Sequence, residues 1–253
     1  MKNFLIYIFA LLLLSSCSTT IPNQILNPAL YGNNLKYLSK PIYKDSTTKS
    51  ETFIAGNYFS IGPQGDDDAF GGAAEFSVSR GHSYKEFEFG YGGSFLTGKM
   101  NYQIFDNLGK NSKAETARFN ALTLQASING VLHYQKTEFR YLAFDLGYSN
   151  EFGNYNDIRN QLSGNRFYTV ITENEFFTGG LSSEIIWKDN FLSYGFKLGI
   201  KKNFGRVNVV TGASSTFNNS LGAYASFQAR LKKAFIAVDI TDYSGRVGIG
   251  CVF

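Results

Sequence analysis

The sequence predicts an all-β protein: a single antiparallel up-and-down transmembrane β-barrel of about ten strands, behind an N-terminal signal and a tether. Three observations predict it. From Thr52 onward apolar residues recur at every second position, the period of a strand. The connections between these stretches are mostly short and long by turns. The composition is aromatic-rich and charge-poor, with 16% Phe, Trp and Tyr against 17% charged residues, where a soluble domain carries about 25% charged residues. The same figures exclude a disordered chain, which would be poor in aromatics. Two cysteines in 253 residues cannot make a disulfide scaffold. A net charge of +4, spread thinly, lacks the dense basic face of a nucleic-acid binder, so no nucleic acid is expected.

The chain opens Met1-Lys2-Asn3 and continues into the apolar run 4–14. One positive charge before such a run is the layout of a secretory signal, and the run is too short to span a membrane as a helix. It ends in Leu14-Ser15-Ser16-Cys17. This motif resembles the bacterial lipoprotein signal, where small residues precede a cysteine at the cleavage site. The resemblance implies that 1–16 is removed and that Cys17, now the first residue, carries palmitate-like acyl chains. Each buried methylene contributes about 0.8 kcal/mol, so several chains make a firm anchor. Ser18 rather than Asp follows the cysteine, which by the same resemblance favours the outer membrane. Residues 17–50 hold Pro22, Pro28 and Pro41, three of the four prolines, and show no long period. They read as a lipidated periplasmic tether, with Ile25-Leu26 and Ala29-Leu30-Tyr31 as short apolar pieces able to dock.

The barrel is read over 51–253, with strands near 52–62, 69–80, 84–105, 117–135, 138–152, 174–188, 191–204, 217–231, 234–241 and 245–253. The third changes phase. Its apolar residues are odd at Phe87, Phe89, Tyr91 and Phe95, then even at Met100, Tyr102 and Ile104. A bulge or a turn near Thr97-Gly98 would flip the faces this way, and a bulge keeps the strand count even. The fourth alternates cleanly, Leu122, Leu124, Ala126, Ile128 and Leu132 opposing Thr123, Gln125, Ser127 and Asn129. The fifth sets Leu142, Phe144, Leu146 and Tyr148 against Tyr141, Ala143, Asp145 and Gly147. The seventh sets Leu192, Tyr194, Phe196, Leu198 and Ile200 against Ser193, Lys197 and Lys201. In the eighth, Ala223, Ala225, Phe227 and Leu231 oppose Tyr224, Ser226, Gln228 and Arg230. Short connections fall near 80–83, 135–138, 187–190 and 232–233, and longer ones at 62–68, 106–116, 153–173 and 205–216. Short periplasmic turns and long outer loops are the asymmetry of outer-membrane barrels. An even strand count then brings both barrel termini to the periplasmic side, where a lipidated tether would hold the N-terminus.

Alternation alone leaves open which face meets lipid. A soluble lipocalin-like barrel in the periplasm would point its apolar face inward, around a lipophilic ligand. The polar face here is mostly Gly, Ser, Thr and Gln with isolated charges, unlike a Lys- and Glu-rich soluble exterior. The last residues carry a second resemblance. Val247, Ile249, Cys251 and Phe253 alternate with small or polar residues to a final Phe, which is similar to the terminal strand of bacterial outer-membrane barrels. The resemblance implies that these four face lipid and that the barrel-assembly machinery reads them.

The charges placed in the lumen are Glu75, Glu86, Glu88, Asp145, Glu184 and Asp239, with Lys197, Lys201, Arg230 and Arg246. Mixed signs point to pairing that fixes the strands and occludes a small barrel, with Tyr141 and Tyr224 also inside. The alternative is a narrow passive pore for small solutes. Outside, Asp66-Asp67-Asp68 is an acidic cluster without EF-hand spacing. The loop 153–173 carries Tyr155, Arg159, Arg166, Phe167 and Tyr168. Asp66, Asp67, Asp68, Arg159, Arg166 and Tyr168 are the candidate loop contacts. His82 and His133 lack the neighbours of a metal site or a hydrolytic triad. The expectation is a non-enzymatic outer-membrane lipoprotein without metal or cofactor, a structural or interaction subunit of a surface complex whose protein partners the sequence does not name.

Overall fold

A computed structural model of the chain describes residues 24–31, 34–42, 49–62, 69–105, 112–189, 191–204, 209–211, 221–242 and 244–253. Cys17 and Asp66, Asp67 and Asp68 lie outside the described residues. The strands are β1 Gln24–Leu26, β2 Lys49–Ile61, β3 Phe70–Ser83, β4 Phe87–Phe105, β5 Ser112–His133, β6 Thr137–Phe152, β7 Tyr168–Ile171, β8 Glu175–Lys188, β9 Leu192–Phe204, β10 Val209–Thr211, β11 Gly222–Leu231, β12 Ala234–Thr241 and β13 Ser244–Val252. Among the described residues one helix, α1 at Asn154–Leu162, lies between β6 and β7.

Ten strands, β2–β6, β8, β9 and β11–β13, form a closed antiparallel barrel. The first and last pair directly, from Val252 opposite Phe53 to Ser244 opposite Ile61. Thr52 and Phe253 exchange both backbone hydrogen bonds at 2.9 Å. Closure leaves no edge, the condition for crossing hydrocarbon with strands. The apolar face is outside: Leu124, Phe144 and Leu198 are 61%, 51% and 54% exposed. Val247, Ile249, Cys251 and Phe253 are exposed along β13 and its end, as expected. The inward-facing lipocalin arrangement is therefore not the one adopted.

The short turns gather at one end. Tyr84 N–H donates to Phe87 C=O, Tyr134 to Thr137 and Asp189 to Leu192, each at 2.8–2.9 Å. The longer connections gather at the other. There the loop after β6 folds inward through α1 and β7, and β7 pairs in parallel with β1 and antiparallel with β10. The helix was not expected in 153–173, because nine residues are too few to show a repeating stripe.

Two readings of strand phase are corrected. β4 is one regular strand of 19 residues, and its pairing with β3 and β5 runs without a shift. Nothing flips at Thr97-Gly98. Met100 and Tyr102 keep the inward parity and are buried, because the long-loop end of the barrel holds an apolar core where they pack with Leu26, Leu30, Leu96, Phe119, Tyr155 and Tyr168. The irregularities lie instead between Ile128 and Gly130 of β5 and between Arg140 and Ala143 of β6. Leu142 takes φ 47°, the left-handed region a leucine rarely enters. This bulge turns Tyr141 outward, 42% exposed, so it is not a lumen residue.

The largest correction concerns the tether. Its described part runs inside the barrel. Gln24 lies at the long-loop end, where its side-chain oxygen accepts from Gln103 N–H at 3.0 Å. Pro41 lies at the short-turn end, its carbonyl accepting from Arg140 at 3.1 Å. Leu26, Leu30, Asn34, Leu35, Tyr37, Leu38, Ser39 and Lys40 are all buried along this path. The chain thus descends the lumen before β2 climbs back as the first wall strand. The described N-terminal end sits opposite the end expected for it. No period betrays the segment, because its surroundings are a ring rather than a plane.

An arginine at Leu124, in the middle of the outward face of β5, is expected to destabilise insertion by about 2–4 kcal/mol. Refolding of Leu124→Arg into lipid vesicles, followed by the heat-dependent gel shift of a closed barrel, measures this. Glu115→Arg, beyond the band on the same strand, serves as the tolerated control.

Candidate functional site: the occupied lumen

The lumen is lined by inward residues of ten strands and filled by 34–41. Close approach is possible because the wall is glycine where the segment passes. A Cβ on Gly147 would stand 2.9 Å from Leu35 Cδ2, and one on Gly81 would meet Pro41 Cδ at 2.7 Å and Lys40 Cα at 2.8 Å. The segment is also hydrogen-bonded to the wall. Gln125 donates to Asn34 C=O at 2.6 Å, Tyr37 N–H to Asp239 at 3.0 Å and Gln228 to Ser39 at 2.6 Å.

Three ionic groups stack along this axis. Near the short-turn end Arg140, 1% exposed, meets Glu88 at 2.5 Å, Glu138 at 3.0 Å and Glu184 at 3.0 Å. Tyr37 donates its hydroxyl to Glu184, and Lys40 reaches Ser127 at 2.9 Å and Asn129. In the second group Asp145 accepts from Lys197 at 2.9 Å, Ser182 at 2.6 Å and the Tyr224 hydroxyl at 2.6 Å. In the third, Glu75 lies between Lys36 of the segment, at 2.6 Å, and Arg246 of the wall, at 3.0 Å. Arg246 also reaches Asp239 at 3.7 Å and lies 4.9 Å from the centre of the Phe59 ring. Arg230 holds Glu51 with two bonds of 2.6 and 2.9 Å. These pairs are intramolecular and buried, so they hold strands and segment in register.

The structure thus brings together inside the barrel Glu75, Glu88, Asp145, Glu184, Lys197, Lys201, Arg230, Asp239 and Arg246. Glu86 is not among them. It is exposed in the turn before β4, since the strand begins only at Phe87 and parity says nothing of a residue ahead of it. Arg159 and Tyr168 are corrected as surface contacts, being fully buried. Arg159 turns from α1 towards Glu151 at 3.1 Å and Ile171 C=O at 2.6 Å. Glu151 in turn accepts from Ala29 N–H at 2.6 Å, and Tyr155 donates to Asn27 C=O at 3.0 Å. Tyr168 binds the β4 backbone, accepting from Phe105 N–H at 3.0 Å. Arg166 is exposed, over the Phe167 ring.

Sequence reasoning missed Lys36, Tyr37, Lys40, Glu138, Arg140 and Glu151. Glu151 shares the inward parity of Asp145 and was open to discovery. Glu138 and Arg140 are even-numbered on a strand whose inward residues beyond the bulge are odd, so the bulge concealed them. Among the described residues no group of three or more His, Cys, Asp and Glu side chains is placed to hold a metal. The carboxylates around Arg140 face a cation already.

No protein-family model matches the chain, and no curated protein matches it. Similar solved structures include the β-domain of the Bordetella autotransporter BrkA, at 7% identity and TM-score 0.48, covering 81% of this chain and 100% of that one. The translocator domain of the Neisseria meningitidis autotransporter NalP follows at 12% identity and TM-score 0.42, covering 81% of this chain and 88% of that one. The transport unit of AIDA-I from Escherichia coli is similar at 13% identity and TM-score 0.38, covering 81% and 90%. What defines the class is the closed ring of ten strands and its apolar exterior: the chain is a β-barrel of the outer-membrane type.

Replacing Arg140 by Met leaves three carboxylates facing one another. The expected loss is about 3–5 kcal/mol, the cost of an uncompensated buried charge. Urea unfolding of the refolded barrel, read through the fluorescence of the single tryptophan, Trp187, measures it. Lys113→Ala, which removes an exposed pair with Glu115, should leave the midpoint unchanged.

Proposed function

We propose that the protein is a non-enzymatic outer-membrane lipoprotein barrel whose lumen is closed by its own N-terminal segment, and which acts as a structural or interaction subunit at the cell surface. The observation that carries this reading is the occupied lumen. Residues 34–41 lie where a solute would have to pass, bound to the wall by Lys36, Tyr37 and Lys40. A channel needs water-lined space and weak, exchangeable contacts, whereas these contacts are short, buried and tethered. Only 43–48 separate the segment from β2, so its effective concentration in the lumen is of millimolar order. A barrel that does not conduct must work through its outer surfaces, and the long-loop end offers them. The anchor on Cys17 and the reading of Val247, Ile249, Cys251 and Phe253 by the barrel-assembly machinery belong to the same proposal. The exposed alternation of β13 and the paired Phe253 backbone support the latter.

Purified protein in a planar bilayer is expected to give no steady ion current. Replacing Leu35, Lys36, Tyr37, Leu38 and Lys40 together by Ser should open uniform single-channel steps, and Glu75→Gln should then alter their cation preference. Stable steps from the native chain would overturn the closed-barrel reading.

A further inference from the structure

The direction in which the segment crosses the lumen decides on which face the N-terminus emerges. Gln24 is paired at the long-loop end, in a three-stranded sheet with β7 and β10 and against Gln103 of β4. Pro41 is at the short-turn end, against Arg140. Everything before Gln24 therefore begins from the long-loop mouth. Cys17 is seven residues earlier. Seven residues reach at most about 25 Å when fully extended, about the height of a barrel's apolar band.

Two routes lead from that mouth to the short-turn face, and both are closed. The lumen is occupied by the same chain running the other way. The outer route crosses hydrocarbon, where each unpaired backbone group costs several kcal/mol. A reach of about 25 Å is used up by the thickness of the band alone. We infer that the chain leaves its barrel through the long-loop mouth, so that the mature N-terminus is displayed on the long-loop face. The ligand of that N-terminus is then the lipid leaflet beneath the long loops. This step rests on the reading of Cys17 as acylated. With long loops outward, the anchor enters the outer leaflet, and the polypeptide passes inward through its own barrel before building it. The protein would be a lipoprotein anchored from the cell surface, not from the periplasm.

Single-cysteine variants test the exit directly in whole cells. Thr20→Cys reports the N-terminal end, Ser215→Cys a long connection and Lys233→Cys a short turn, each in a Cys251→Ser background and probed with a membrane-impermeant maleimide. The expected result is that Thr20→Cys and Ser215→Cys label together, and that Lys233→Cys labels only from the opposite face, after permeabilisation. Labelling of Thr20→Cys in step with Lys233→Cys overturns the inference, whichever way the barrel stands. Should Thr20→Cys impair assembly, an epitope placed between Pro22 and Asn23 gives the same reading. Palmitate incorporation that is lost in Cys17→Ala supports the anchor. Its absence from the native chain overturns the anchor, and the same maleimide comparison repeated with Cys17→Ser added to the background then decides the exit, while bilayer conductance remains a separate test of closure.

Discussion

A carboxylate taken out of water must find a cation or hydrogen-bond donors, or it destabilises the fold by several kcal/mol. The wall of this barrel carries Glu75, Glu88, Glu138, Asp145, Glu184 and Asp239 on its inner face. Arg140, Lys197 and Arg246 answer them from the wall, and Lys36 answers Glu75 from the segment that crosses the lumen. Wall and segment therefore form one electrostatic unit. Remove the segment, and Glu75 loses Lys36 and keeps, as its cation, Arg246, which Asp239 also claims, while Glu184 loses the Tyr37 hydroxyl. The ring is built around its occupant, and closure of the lumen is part of what stabilises the ring.

The two ends of the lumen use different physics. At the long-loop end the fit is apolar: Leu26 and Leu30 enter a core with Leu96, Met100, Phe119 and Tyr168, each fully buried aliphatic side chain contributing about 1.5–3 kcal/mol. One ion pair, Glu151 with Arg159, ties helix to strand there, and Glu151 also takes the Ala29 amide. Towards the short-turn end the fit is ionic and geometric, with Arg140 as its centre and glycines as its clearance. The apolar end supplies free energy without direction. The ionic end fixes register, because an arginine shared among three carboxylates and the Pro41 carbonyl tolerates little displacement.

The wall was legible in the sequence and its contents were not, for reasons particular residues make plain. Leu124 and Phe144 belong to alternating runs whose neighbours are also alternating, so parity alone places them outside. Parity misled at Met100 and Tyr102, where apolar meant outward only as long as the strand was taken to lie in lipid throughout. It misled again at Tyr141 and Arg140, because a bulge at a leucine leaves no signature residue. The segment 24–42 had no period to read. Leu35 is specified by the absence of side chains at Gly147 and Gly180, positions more than a hundred residues away, which look in sequence like any other small residues of a polar face. Asp239 and Arg246, by contrast, lie on strands that pair without a shift, so parity places them inside, where they face each other across one hairpin.

The segment that fills the lumen is continuous with β2, the strand that shares the seam with β13. A pull on the N-terminus from the long-loop side is therefore taken first by β1 and by the bonds of the segment to the wall, and passes to Lys49 at the foot of that strand only once these have given way. There it acts from one end on both ladders of β2, which begin at Lys49 opposite Ser83 of β3 and at Thr52 opposite Phe253. A ladder opened bond by bond yields at much lower force than one sheared along its length. The molecule is a ripcord with a guard: tension reaches the strand that closes the ring only after the occupant of the lumen has been stripped from the wall.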